Sequence, residues 1–222
     1  MNIIIFGDSI TWGAWDPKGG WAFRLKSHAD SITLQSHFEQ YISVHPLGVS
    51  GDTSADLLTR IEPEYKARHK PRDTNVVILA IGINDSVVSL SDKTTRVPLD
   101  TFRQNIKLIF ERLDKYVDRF YCLGLTSVDE SRVYPMRWGQ NEGYSNEQIE
   151  IYNDALRNIC TEKNVAFIDI YNNFIGKEAK LLEDGVHPNG KGHTLIYENV
   201  LTSINVLNKT QITFACPHQG GL

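Results

Sequence analysis

The sequence predicts an α/β protein built as three layers, with a five-stranded parallel sheet doubly wound by helices on both faces. Two observations carry that prediction. Along the 222 residues, apolar runs of strand length alternate with segments whose apolar residues recur at helical spacing, and right-handed crossovers between parallel strands put helices on both faces. Four polar, glycine-containing motifs also punctuate the chain: Gly7-Asp8-Ser9-Ile10, Ser50-Gly51-Asp52, Gly82-Ile83-Asn84-Asp85 and Asp184-Gly185-Val186-His187-Pro188. The strands of a parallel sheet all end on one edge, so motifs that follow successive strands converge in space.

Residues 2–6 (NIIIF) form a β-branched and aromatic run suited to a strand buried on both faces, ending at Gly7. From Gly20 to Ala29, apolar Trp21, Ala22, Leu25 and Ala29 keep helical spacing. The second strand, residues 41–47, contains Pro46 and is therefore placed at an edge. Asp52 or Thr53 caps a helix through Leu57, Leu58 and Ile61. Residues 76–81 (VVILAI) are the clearest central strand, followed by a polar loop over 86–97. Pro98 opens a helix with Phe102, Ile106, Ile109, Phe110 and Leu113 on one face.

Residues 119–125 read as a fourth strand and 126–144 as a long loop, a length usually kept for function or disorder. Ser145 and Gln148 are spaced as a capping box for a helix with Ile149, Tyr152, Leu156 and Ile159 on its buried stripe. Residues 165–168 are the fifth strand, 170–174 a short helix, and the last helix runs from about 189 to 206. The strand order 2-1-3-4-5 puts the proline-containing strand at an edge and the first and third strands side by side at the switch point. Residues 1–207 are read as one domain and 208–222 as a C-terminal tail with little periodicity.

An apolar content of 41%, 23% charged residues and a net charge of −4 are those of an ordinary globular domain and argue against a nucleic-acid partner. Three scattered cysteines, Cys122, Cys160 and Cys216, form neither a disulfide framework nor a metal-binding spacing. The apolar start meets Gly7 too soon for an export signal, so a cytoplasmic protein is expected, and no apolar run is long enough to cross a bilayer. Nothing in the sequence requires an oligomer.

Ser9 leaves the first strand where its hydroxyl would face the crevice at the sheet edge, and it needs a base to become a nucleophile. His187 is the candidate base, with Asp184 three residues earlier to orient its ring. The Ser9 and Gly51 backbone N–H groups and the Asn84 side-chain amide are candidate donors to a tetrahedral oxyanion. Taken singly, each motif reads better as a turn or a helix cap; the force lies in four of them in order on one strand and helix alternation. Trp12, Trp15 and Trp21 follow the serine loop, and Trp12, Tyr134, Met136 and Trp138 are candidates for the substrate pocket, since long loops at strand ends carry specificity. His193 falls within the last helix and reads as a surface or packing histidine. Ser50 is a decoy, because its surroundings lack the second spacer of the G-x-S-x-G elbow.

With these blocks in place, the chain resembles the SGNH (GDSL-type) hydrolases, matching their serine, glycine, asparagine and histidine with Ser9, Gly51, Asn84 and His187 over roughly residues 2–206. Ile10 stands where the usual block has leucine. The resemblance implies a flavodoxin-like three-layer fold, esterase or lipase-type activity on a small-molecule ester without metal or cofactor, and Asp184 as third member of the triad. Two other readings compete. A metal-dependent phosphoesterase would use Asp8, Asn84, Asp85 and His187 as ligands, although no H-x-H or H-x-x-x-H pair lies near these motifs. A non-catalytic flavodoxin-like binding module would cradle phosphate on the loop 7–11, which carries Asp8 and no lysine.

Overall fold

A computed structural model describes residues 1–204. In chain order its elements are β1 (Asn2–Gly7), α1 (Ser9–Trp12), α2 (Gly20–Gln35), β2 (Ser43–Gly48), α3 (Ser54–Lys66), β3 (Asn75–Ala80), β4 (Val88–Ser89), α4 (Leu99–Leu113), β5 (Arg119–Leu123), α5 (Glu130–Val133), β6 (Glu142–Gly143), α6 (Asn146–Glu162), β7 (Ala166–Ile168), α7 (Tyr171–Phe174), α8 (Glu178–Leu181) and α9 (Gly190–Ser203). The main sheet is parallel, in the order β2-β1-β3-β5-β7. That is the predicted 2-1-3-4-5 arrangement, renumbered because β4 and β6 form a separate two-stranded antiparallel ribbon. The ribbon lies inside the two segments read as plain loops.

Central position explains the composition of β1. All six residues are buried, and fully burying each of Ile3, Ile4 and Ile5 contributes about 1.5–3 kcal/mol. α2 packs with α9, while α3 and α4, then α4 and α6, pack together in the other layer. The apolar stripe of α4 is buried as its spacing required, through Phe102, Ile106, Ile109, Phe110 and Leu113.

Register sets up the site. Gly7 at the end of β1 pairs with Gly48 of β2 and Ala80 of β3, so three strands stop level and their loops leave from one edge. The loop after β1, which carries Ser9, then doubles back tightly: a Cβ on Gly7 would sit 2.2 Å from Thr11 Oγ1 and 2.5 Å from the Ala80 carbonyl oxygen.

Several boundaries differ from expectation for identifiable reasons. Thr53, not Asp52, caps α3, in a reciprocal box with Asp56. Ser145 stands at the N-cap of α6 but makes no side-chain cap, so the expected box with Gln148 does not form; the Asn146 N–H donates to the Glu130 carboxylate instead. α2 runs on to Gln35. β5 stops at Leu123: the Gly124 N–H makes the last bond to β7, at the Ile168 carbonyl, and the Leu125 N–H leaves the sheet for Asn153 Oδ1 of α6. The end of the domain at 207 and the tail 208–222, with Cys216, lie outside the described residues.

Candidate active site

Asp8 caps the single turn of α1, its Oδ1 accepting the Ile10 N–H at 2.9 Å. This puts Ser9 first in the turn, 5% exposed, just past the sheet edge. Its Oγ lies 2.9 Å from His187 Nε2.

The loop carrying His187 is built by Asp184. Its Oδ1 accepts the N–H groups of Val186 (3.0 Å) and His187 (2.9 Å), an Asx-type turn, and its Oδ2 lies 2.7 Å from His187 Nδ1. Gly185 sits between them at φ 103°, and a Cβ there would come within 2.8 Å of Val133 Cγ1. Burial alone would raise the Asp184 carboxyl, but the His187 ring, the His187 and Val186 N–H groups and the nearby imidazole charge outweigh it and hold the acid far below the usual carboxylate range. An Asp184 held ionised in this way favours the tautomer in which Nδ1–H donates to Asp184 and Nε2 is left to accept from Ser9.

Gly51 has φ 84° with open space around its Cβ position, so glycine is needed there for backbone conformation and not for room. Among the described residues, neither the Ser9 nor the Gly51 N–H is bonded to a protein acceptor. Asn84 is clamped from two sides. One N–H of its amide donates to the Asp52 carbonyl at 3.0 Å, and its Oδ1 accepts the Tyr144 hydroxyl at 2.9 Å, leaving one N–H for a ligand. Burial pushes the Tyr144 hydroxyl above the ordinary phenol range, so it stays a donor.

Two further side chains tie these loops together. Arg60 of α3 donates to Asp52 Oδ2 (2.6 Å) and to the carbonyls of Leu47 (3.2 Å) and Gly7 (3.0 Å), bracing the ends of β2 and β1 beside the Gly51 turn. Asp85 is fully buried, and both of its oxygens lie 3.0 Å from the Ser54 nitrogen at the start of α3. Burial pushes the Asp85 carboxyl up to about 6 against those bonds. Asp8 is pushed up further, to about 7, by burial, with Asp85 and Asp52 adding to the effect, while the Ile10 N–H and the His187 charge oppose it.

The structure thus brings Ser9, His187 and Asp184 into one hydrogen-bonded series. Trp12 (57% exposed), Trp138 (53%) and Tyr134 (39%) lie at the surface, whereas Met136 is buried against the core. His193 is a packing residue: its Nδ1 lies 3.3 Å from the Trp21 nitrogen and its Nε2 3.4 Å from the Ala14 carbonyl, and burial pulls its imidazole down to about 4. Arg60 and Tyr144 escaped the sequence reading. Arg60 left a faint signal, standing two helical turns beyond Asp52; Tyr144, at the end of a loop, left none.

A buried serine joined through an imidazole to an ionised carboxylate, on the carboxyl edge of a parallel α/β sheet, defines a hydrolase of the acyl-transfer type. The chain belongs to the GDSL-like lipase/acylhydrolase family, whose model matches residues 5–195, and is an ester hydrolase of that family. It is 29% identical over 217 residues to the isoamyl acetate-hydrolyzing esterase of Saccharomyces cerevisiae, covering 91% of this chain and 85% of that protein. In fold it is similar to an acetylxylan esterase from Geobacillus stearothermophilus (TM-score 0.70, 22% identity, 91% and 93% of the two chains). A lipase/acylhydrolase from Enterococcus faecalis is as similar (TM-score 0.71, 20% identity, 91% and 94%). No described helix is long and apolar enough to cross a membrane.

Proposed function

We propose that this protein cleaves short acyl esters through an acyl-enzyme on Ser9. His187 Nε2 takes the Ser9 proton as Oγ attacks the ester carbonyl, and Asp184 steadies the imidazolium. The oxyanion of the tetrahedral intermediate is met by the Ser9 and Gly51 N–H groups and the free N–H of Asn84. Collapse returns the His187 proton to the departing alkoxide; a water, deprotonated by the same nitrogen, then frees the acid and restores the Ser9 hydroxyl. The observation that carries this reading is the unbroken run from Ser9 Oγ through His187 to Asp184, at 2.9 and 2.7 Å.

A small acyl group, acetate first, suits the likeness to an acetate-ester hydrolase, and the exposed Trp12, Tyr134 and Trp138 are our candidates for contact with the alcohol part. The phosphoesterase reading is disfavoured because both ring nitrogens of His187 are engaged, one with Ser9 and one with Asp184. The net charge of −4 favours a neutral small molecule over nucleic acid, and the buried free thiols of Cys122 and Cys160 suit the cytoplasm.

The test is a p-nitrophenyl ester series from acetate to decanoate with wild type, Ser9→Ala and His187→Ala, with and without EDTA. We expect kcat/KM to be highest for acetate or butyrate, indifferent to EDTA, and lowered about 10⁴-fold or more by either substitution. Rates that climb with chain length would point to lipids, and loss with EDTA would restore the metal reading.

A further inference from the structure

Trp15 carries an unusual combination of features. It is 59% exposed, yet its backbone is held at φ 63°, a left-handed conformation that bulky residues avoid. Strain of this kind persists only where the surroundings impose it. Here they do so from both sides: the Ala14 carbonyl meets His193 Nε2 of α9, and Asp16, 8% exposed, takes the Gly20 N–H on Oδ2 at 3.1 Å, the Lys18 N–H on Oδ1 at 3.1 Å, and a bond from Arg24. Arg24 in turn reaches the Gly190 carbonyl at the start of α9. The strained residue is thus fixed to the same helix start that follows His187.

The strain is matched by what the indole touches. Trp15 Nε1 lies 2.7 Å from Asp184 Oδ2 and 3.2 Å from His187 Nδ1, with the two rings edge to face at 5.9 Å between centroids and 83° between planes. With Nδ1 protonated toward Asp184, Nδ1 is no acceptor. The indole N–H and the imidazole N–H therefore converge on one carboxylate oxygen, and the 3.2 Å approach follows from that shared target.

We propose that Trp15 is a positioning residue of the ester-cleaving site, holding Asp184 Oδ2 through its indole N–H and the His187 ring through its edge. The inference rests on the reading of His187 as the base. Two effects follow. The imidazole cannot swing away from Ser9 while its partner oxygen is pinned, and the indole covers a dyad that would otherwise face water. The second donor also draws charge from Oδ2, so Asp184 grips the imidazolium less strongly than it would alone. The other titratable groups facing this dyad are Asp8 at the start of α1, Tyr144 after β6, and His193 of α9. None of the three hydrogen-bonds the Trp15 side chain, whose partners are Asp184 and His187.

The experiment compares wild type with Trp15→Phe, which keeps the aromatic body and deletes the N–H. For p-nitrophenyl acetate we expect kcat to fall about tenfold with KM within twofold, and the acidic limb of kcat/KM to move up by about half a pH unit, since the freed carboxylate favours the protonated imidazole. A second readout needs no turnover. In Ser9→Ala, tryptophan emission should titrate as His187 gains its proton beside the indole, and this component should vanish in both Trp15→Phe and His187→Ala. Unchanged kcat and pH profile in Trp15→Phe, or a rise confined to KM, would overturn the proposal. So would a titration in Ser9→Ala that survives Trp15→Phe. If wild type has no esterase activity at all, the functional reading fails, while the emission titration still decides whether Trp15 reports on His187.

Discussion

The Tyr144 hydroxyl donates to Asn84 Oδ1 at 2.9 Å, joining residues 60 apart in the chain, both buried. This bond decides which way the Asn84 amide faces. With Oδ1 committed to Tyr144 and one N–H to the Asp52 carbonyl, the remaining N–H has only the site to serve. Tyr144→Phe should lower kcat for p-nitrophenyl acetate about tenfold, and Asn84→Ala about 10²- to 10³-fold. The double variant should be no slower than Asn84→Ala alone, because one residue acts through the other. Multiplying losses in steady-state kinetics would separate the two roles.

Gly51 is left-handed at φ 84° with nothing within 4 Å of its Cβ position. Gly51→Ala therefore meets no clash and faces only the backbone cost, about 1–2 kcal/mol. Thermal melting should register a loss of that size if the turn holds, and activity should fall further than stability as the Gly51 N–H turns aside. An alanine variant with native melting temperature and native kcat would show that the turn tolerates either conformation and that its N–H is not needed.

Asp8 gives a pH signature with a definite sign. Its carboxyl is raised by burial to about 7 in the folded protein, against an ordinary value of 3.8. Below about pH 4 both folded and unfolded chains hold the proton. Between about pH 4 and 7 the folded chain keeps a proton that the unfolded chain releases, so stability falls as pH rises, and it levels off above 7. Asp8→Asn preserves an oxygen for the Ile10 N–H and removes the ionisation. Urea titrations should find its stability falling less steeply than wild type across this window, the remaining slope coming from Asp85 and the other shifted groups, and, at pH 8, on the order of 2–4 kcal/mol above wild type. Parallel pH curves for the two proteins would contradict the assignment.

Much of this was legible in the sequence because it depends on local pattern. The apolar runs at 2–6 and 76–81 needed burial on both faces and became β1 and β3, and Pro46 correctly placed β2 at the edge. The four loop motifs could be assembled because register, not sequence distance, brings strand ends together. What escaped depends on contacts that no period encodes. Arg60 reaches Asp52 and the ends of β1 and β2 at once, and Tyr144 finds Asn84 only where the β4 and β6 ribbon brings residues 126–144 back against residues 86–97. Ser145 fits a capping pattern that Glu130, at the start of α5, displaces. The left-handed Trp15 sits in a stretch whose composition signals only aromatic packing.

The central claim is that Ser9, poised 2.9 Å from His187 Nε2, is the one serine that forms the covalent intermediate. It is tested most directly by treating wild type, Ser9→Ala and His187→Ala with a fluorophosphonate and mapping the adduct by peptide mass spectrometry. The account predicts a single adduct on Ser9, absent from Ser9→Ala and formed far more slowly in His187→Ala. An adduct on Ser50 or any other serine, or full-rate labelling of Ser9→Ala, would contradict it.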